Sequence, residues 1–323
     1  MNNAKHTGRL VALSGGVGGA KLALGLARQL PPERLVIACN TGDDFEHLGL
    51  SISPDLDTVM YTLAGISHPE QGWGLAGESW RVMSQMEILE GPAWFRLGDL
   101  DLATHLYRTQ RLREGATLSQ VTQALCGRLN VGHAVLPMSD HPVRTLVQTD
   151  AGELSFQHYF VRERCQPVVR GLRFEGSATA APQPQLAATL ADASLAGIVI
   201  CPSNPFLSIG PMLSIPALRQ ALRSTTAPVI AVSPIVAGQS IKGPTAKMMS
   251  ELGMSVTAGS IAACYHGLID GIVIDESDAS QARDIEAMGI AVHVARTIMR
   301  TLEDKRQLAD DVLAFAAALF RHS

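Results

Sequence analysis

The 323-residue sequence has no run of Lys and Arg, no Cys-x-x-Cys pair and no apolar stretch long enough to cross a membrane. With no basic run, a net charge of −4 and only 17% charged residues, neither nucleic acid nor a polybasic membrane contact is an expected partner. Cys39, Cys126, Cys165, Cys201 and Cys264 are odd in number and scattered, which speaks against a disulfide framework and a zinc site and fits a reducing cytoplasm. The segment Met1 to Thr7 has no charged stretch followed by apolar residues, so the sequence reads as unexported. Repeats, H-E-x-x-H spacing and a G-x-S-x-G elbow are also missing, and covalent hydrolase chemistry has no support.

What is present is an alternation of short apolar runs with helix-length amphipathic segments, the pattern of parallel strands joined by crossover helices. It predicts strands at Arg9 to Leu13, Leu35 to Asn40, Ala134 to Pro137, Gly197 to Cys201, Pro228 to Val232, Gly271 to Ile274 and Ala291 to Val294. Most are apolar at every position, as in strands buried on both faces of a doubly wound sheet. From about Pro69 to Asn130 the period is helical, with segments at Glu78 to Leu89, Leu100 to Arg111 and Leu118 to Leu129. The expected architecture is therefore a Rossmann-like α/β core in two parts, residues 1–68 and 131–323, interrupted by a small helical insertion over 69–130. A hairpin is expected around Asp150 to Gly152, a flexible surface connection over 176–184, and a terminal packing helix from Asp310 to Phe320.

Leu10 to Lys21 places a strand, five small residues and a lysine in front of a helix. Glycines let backbone N–H groups approach phosphate oxygens, and the helix adds the positive end of its dipole. Ala20 and Leu22 break the Walker A pattern, and Lys21 replaces the third glycine of the dinucleotide fingerprint. A phosphorylated ligand and a plain strand-to-helix turn both remain open from this loop alone.

After the second strand comes Asn40-Thr-Gly-Asp43-Asp44, then Ser53-Pro-Asp55-Leu-Asp57 before a helix. Four carboxylates in so short a stretch repel one another if they converge, and a divalent cation relieves that repulsion. Asp43 also suits a turn, and Asp57 a helix N-cap. The loops Cys201 to Pro211 and Ser233 to Pro244 follow two later strands and could line the same sheet edge. In the insertion, Asp101 suits a cap, while Asp99 and His105 could face the cleft. Trp73, Trp80 and Trp94 could stack on an aromatic ligand or form a small core.

Taken in order, Ser14 to Lys21, Asn40 to Asp44, Ser53 to Thr58, Leu97 to Thr104, Leu136 to Asp140, Pro202 to Pro205, Ser208 to Pro211 and Ser233 to Ile235 resemble the 2-phospho-L-lactate transferase family of coenzyme F420 biosynthesis. The resemblance implies a Rossmann-like core with a small helical subdomain, and dependence on Mg²⁺. It implies transfer of a phospho-acid unit, of the 2-phospholactyl, enolpyruvyl phosphate or 3-phosphoglyceryl type, from a guanosine diphosphate ester to the deazaflavin FO, with GMP released. On this reading Asp43 and Asp57 are catalytic and hold Mg²⁺, supported by Asp44 and Asp55 and by Asn40 beside them. Gly15, Gly16, Gly18, Gly19 and Lys21 would hold the diphosphate and guanosine with Ser203, Asn204, Ser208 and Gly210, and the FO ring would lie near Trp80. Some family members carry Arg where this chain has Leu100. The terminal helix would permit a homodimer. The competing reading is a non-catalytic nucleotide-sugar-binding regulator of the gluconeogenesis-factor type, disfavoured by the Ser53 to Asp57 block and the insertion.

Overall fold

In the computed structural model, which describes residues 8–320, the seven apolar runs form one seven-stranded sheet. Residues 1–7, read above for a leader pattern, lie outside that span. The strands are β1 (Leu10–Ser14), β2 (Leu35–Cys39), β3 (Ala134–Pro137), β4 (Gly197–Ile200), β5 (Val229–Val232), β6 (Gly271–Asp275) and β7 (Ala291–Ala295). Their order is β3-β2-β1-β4-β5-β6-β7, and every neighbouring pair is parallel. The chain runs outward from β1 on one side and returns to β4 on the other. The loops after β1 and β4 therefore part at the carboxyl edge, the crevice where such sheets receive ligands.

Successive residues of the inner strands feed opposite cores. Val11, Leu13, Val36 and Ile198 join one apolar cluster, while Leu10, Ala12, Ile37 and Val199 join the other. The second cluster includes helix α1 (Gly16–Gln29) and the C-terminal helix Leu302–Leu319. Gly25 allows close approach there, because a Cβ would sit 2.1 Å from the Lys305 carbonyl oxygen. The terminal helix spends Leu308, Val312 and Ala316 on this internal contact, so that apolar stripe is not a free dimer surface.

Between β2 and β3 come α2 (Pro54–Ala64), α3 (Arg81–Ile88), α4 (Asp99–Arg113) and α5 (Leu118–Arg128). Helix α5 contributes Val121, Leu125 and Cys126 to the same core as the sheet. Helices α3 and α4 cap each other: Asp99 accepts from the N–H groups of Arg81 and Val82, while Glu78 accepts from those of Leu100 and Asp101. Asp99 of α4 thus satisfies orphan donors of the first turn of α3, and Glu78, just ahead of α3, those of the first turn of α4.

The hairpin around Asp150 to Gly152 forms, as Arg144–Thr149 paired with Gly152–Ser155, and Val169–Glu175 adds a third strand. The 176–184 stretch is not the loose surface connection expected from its composition. Ser177, Ala180 and Gln183 are buried; Gln183 donates to the Met138 carbonyl at 3.0 Å and caps the helix Pro184–Leu190. Two short hairpins escaped the sequence reading, Phe45–His47 with Leu50–Ile52 and Ile235–Val236 with Gln239–Ser240, because two- and three-residue strands carry no periodicity.

Candidate functional site

At the switch point the Gly15 N–H donates to Ser203 Oγ at 3.1 Å, and that hydroxyl donates back to the Gly15 carbonyl at 2.8 Å. The loops after β1 and β4 are stitched together by this exchange. A Cβ on Gly15 would lie 2.5 Å from Ser208 Cβ, and one on Gly18 2.3 Å from the Pro202 carbonyl oxygen. Gly16 has φ +64°, the left-handed conformation that favours glycine. Its N–H donates to Asp55 Oδ1 at 2.7 Å. Among the described residues no side chain accepts from the N–H groups of Val17 and Gly18, which are left for an anion at the start of α1. Lys21 lines the same cleft and donates to the Met299 carbonyl at 2.8 Å; burial, then Lys242 and Lys305, lower its pKa.

Asn40 organises the acids. Its Nδ2 shares two hydrogens among Asp43 Oδ1 (3.1 Å), Asp55 Oδ2 (3.0 Å) and the Leu207 carbonyl (3.3 Å), while its Oδ1 accepts from the Gly42 N–H at 2.8 Å. Burial, then repulsion from Asp55 and Asp44, pushes the Asp43 carboxyl well up; burial pushes Asp55 up to about 6. Asp44 lies behind this pair with Ser53 Oγ donating to its Oδ2 at 2.8 Å and with no partner at Oδ1, and burial pushes it up to about 7. Asp43 and Asp55 are the two carboxylates that the fold gathers on one amide.

Asp57 is held elsewhere. Arg108 grips both its oxygens, through Nη2 to Oδ1 and through Nη1 to Oδ2 at 3.1 Å. Arg108 Nη1 also lies 3.2 Å from His105 Nδ1, which directs the lone pair of that nitrogen to the guanidinium and the hydrogen to Nε2. His105 Nε2 faces Asp101 Oδ2 at 3.3 Å, and Tyr61 Oη donates to Asp101 Oδ1 at 2.6 Å. Burial alone would raise Asp101, but the His105 ring beside Oδ2 and the Tyr61 hydroxyl on Oδ1 hold it below the usual carboxylate range. The helical phase reverses one sequence expectation: Asp101, read as a cap, faces the cleft with His105, and Asp99 is the exposed cap.

The cleft has a volume of about 530 Å³. Gly15, Gly16, Gly18, Lys21, Asp43, Asp55, Asp57, Ser203, Asn204 and Ser208 all line it, opposite an apolar wall that includes Phe95, Phe156 and Phe160. The rings of Phe156 and Phe160 stack at 5.3 Å. A side pocket of about 300 Å³ shares Gln71, Trp73, Gly74, Arg96 and Asp101 with it. Trp80 lines only the side pocket and lies under the Arg96 guanidinium, 4.7 Å from the ring centroid. Trp94 packs edge-on against His47 and His158, a structural role.

Gly19 and Gly210 stand apart from the lining. A Cβ on Gly19 would meet the Ser14 and Ser203 hydroxyls at 2.6 Å, and one on Gly210 the Phe174 ring at 3.0 Å, so both serve packing that shapes the loops. Asp140 accepts from Ser119 at the start of α5, and Leu100 is exposed. Arg108 and Tyr61 were missed as site residues. Arg108 sits in a polar stretch of α4, and nothing local distinguishes it from the exposed Arg111 and Arg113.

A family model described as 2-phospho-L-lactate transferase CofD matches residues 10–309. A phosphoenolpyruvate transferase of Kitasatospora aureofaciens is 42% identical over 315 residues, covering 95% of this chain and 98% of the relative. Proteins of the same name from Streptomyces griseus and Mycolicibacterium smegmatis are 39% identical over 314 residues (95% and 98% covered) and 38% identical over 303 (87% and 92% covered). A crystal structure of a UPF0052 family member from Bacillus halodurans is similar with a TM-score of 0.62 at 13% identity, over 95% of this chain and 98% of that one. That last likeness is one of fold alone. The five cysteines are free, and no helix among the described residues is long and apolar enough to cross a membrane.

Proposed function

The chain belongs to the 2-phospho-L-lactate transferase family, making it a phospho-acid transferase of coenzyme F420 biosynthesis, and we propose that its donor is the guanosine diphosphate ester of enolpyruvate and its acceptor is FO. The enolpyruvyl unit is chosen over the 2-phospholactyl and 3-phosphoglyceryl units because relatives at 38–42% identity are named phosphoenolpyruvate transferases. What carries the reading is the convergence of the glycine loop, the acids and the Ser203 to Ser208 loop on one cleft beside an apolar wall.

In the proposed reaction a terminal ribityl hydroxyl of FO attacks the phosphorus that bears the enolpyruvyl group. A new P–O bond forms, the P–O bond to GMP breaks, and the hydroxyl proton passes to solvent. Such transfer depends on alignment and charge neutralisation rather than on a covalent enzyme intermediate. The N–H groups of Val17 and Gly18 hold the diphosphate with Lys21, while Ser203 and Ser208 keep the loop in place. The FO ring lies along Phe95, Phe156 and Phe160, with Trp73 rather than the covered Trp80 at its edge.

Asp43 and Asp55 suit Mg²⁺: both are hard oxygen donors, both are buried, and neither is bonded to a cationic side chain among the described residues. Asp57, the other ligand expected from sequence, already has its charge met by Arg108. A bound Mg²⁺ supplies neutralisation of the diphosphate charge. In this proposal the protein works in the cytoplasm, where its free thiols stay reduced.

The test is a mass-spectrometric assay with FO, Mg²⁺ and each of the three guanylylated phospho-acids. Product and GMP from the enolpyruvyl donor are expected. Preference for another donor would overturn the choice of acid, and no product from any donor, by a protein that binds uridine diphosphate sugars, would replace the transferase with the regulator.

A further inference from the structure

Asp101 lines both the main cleft and the side pocket and, at 18% side-chain exposure, is far more open than its partner His105 at 1%. Its place is fixed from three directions. Glu78 holds its backbone N–H at 2.8 Å, the buried Tyr61 hydroxyl holds Oδ1 at 2.6 Å, and His105 Nε2 stands 3.3 Å from Oδ2. His105 is in turn oriented by Arg108, which is anchored on Asp57. The network thus sets one carboxylate at the junction of two cavities, with oxygen lone pairs beyond the one that Tyr61 occupies.

We propose that Asp101 binds the transfer acceptor by accepting a hydrogen bond from one of its hydroxyls, which makes it the residue that selects a neutral polyhydroxylated acceptor. An ionised carboxylate accepts hydrogen bonds and donates none, so its partner must bring an O–H or N–H. The donor's diphosphate offers only anionic oxygens, which Asp101 repels, so a donor contact would have to come from its guanosine N–H and O–H groups and would show as a raised donor KM. The neighbouring Phe95 and Trp73 give the acceptor's ring an apolar surface next to this polar anchor. The inference rests on the transferase reading for the identity of the acceptor.

Steady-state kinetics of Asp101→Asn, with FO and the guanylylated donor varied separately, test it. Replacing a charged hydrogen-bond acceptor by a neutral one is expected to raise KM for FO roughly tenfold or more while leaving KM for the donor within about twofold. Tyr61→Phe, which removes one orienting bond and keeps the carboxylate, should shift KM for FO in the same direction by less. Unchanged KM for FO in a folded Asp101→Asn protein, or equal increases for both substrates, would overturn the assignment. Absence of transfer by the wild type would instead count against the transferase reading. If Asp101→Asn does not fold, an unchanged KM for FO in Tyr61→Phe overturns the proposal.

Discussion

Asp57 and Arg108, 51 residues apart in sequence, meet through both carboxylate oxygens and both terminal guanidinium nitrogens, and each is buried. Removing one partner strands the other's charge away from water. Arg108→Ala is therefore expected to cost about 3–5 kcal/mol, whereas Asp57→Leu with Arg108→Met, which removes both charges, is expected to restore most of it. Urea denaturation of the two variants measures the difference, and wild-type stability in Arg108→Ala would contradict the pairing. Asp57→Asn, which weakens the anchor of Arg108 and through it of His105 beside Asp101, should raise KM for FO; a folded variant with unchanged KM for FO would remove Asp57 from the site.

The acids make stability depend on pH with an unusual sign. Burial raises Asp44 to about 7 and Asp55 to about 6, and burial with repulsion from its neighbours lifts Asp43 in the same direction. The folded protein then binds protons that the unfolded chain has released, so stability falls as pH rises from about 4 through about 7. Without divalent cations the thermal midpoint should be higher at about pH 5 than at about pH 8, and Asp44→Asn should flatten the slope. Added Mg²⁺ should raise the midpoint mainly at the higher pH, where it meets ionised Asp43 and Asp55. A cation-free midpoint that climbs through this window would contradict the burial of these groups.

Two glycines give opposite expectations. Gly15→Ala drives a Cβ to 2.5 Å from Ser208 Cβ and 2.7 Å from Asp55 Oδ2, so it should cost about 1–3 kcal/mol and weaken GMP binding. Gly127, in α5 with no atom near a Cβ, should gain about 0.5–1 kcal/mol on substitution by Ala. Thermal unfolding and calorimetric titration with GMP check both; equal stability changes would contradict the tight seam between the loops.

Lys21→Ala removes a cleft cation and is expected to weaken GMP binding roughly ten- to hundredfold with little effect on FO. Calorimetry with each ligand separates the two. Equal weakening would take Lys21 off the phosphates.

Most of the sheet strands were legible because they are buried on both faces, which leaves continuous apolar runs such as Leu10 to Leu13, while the half-buried edge strand β7 was legible from its valines. The glycine loop and the Asp43 to Asp57 stretch were legible because their spacing is local. The Asp57 to Arg108 pair was not, since it joins α2 to α4 across the insertion and neither residue's neighbours encode the meeting. The exchange of roles between Asp99 and Asp101 was hidden because two residues on a helix differ by more than half a turn, and the phase depends on how α4 packs on Tyr61. The buried 176–184 stretch shows that small and turn-forming residues also fill seams in a core.

A crystal structure of the protein with GMP and FO tests the central claim, that one cleft at the sheet's switch point holds both substrates. The expected result is the GMP phosphate within hydrogen-bond distance of the Val17 and Gly18 N–H groups and Lys21, with the FO ring along Phe95, Phe156 and Phe160. A phosphate bound away from the start of α1, or FO bound outside the cleft, would contradict it.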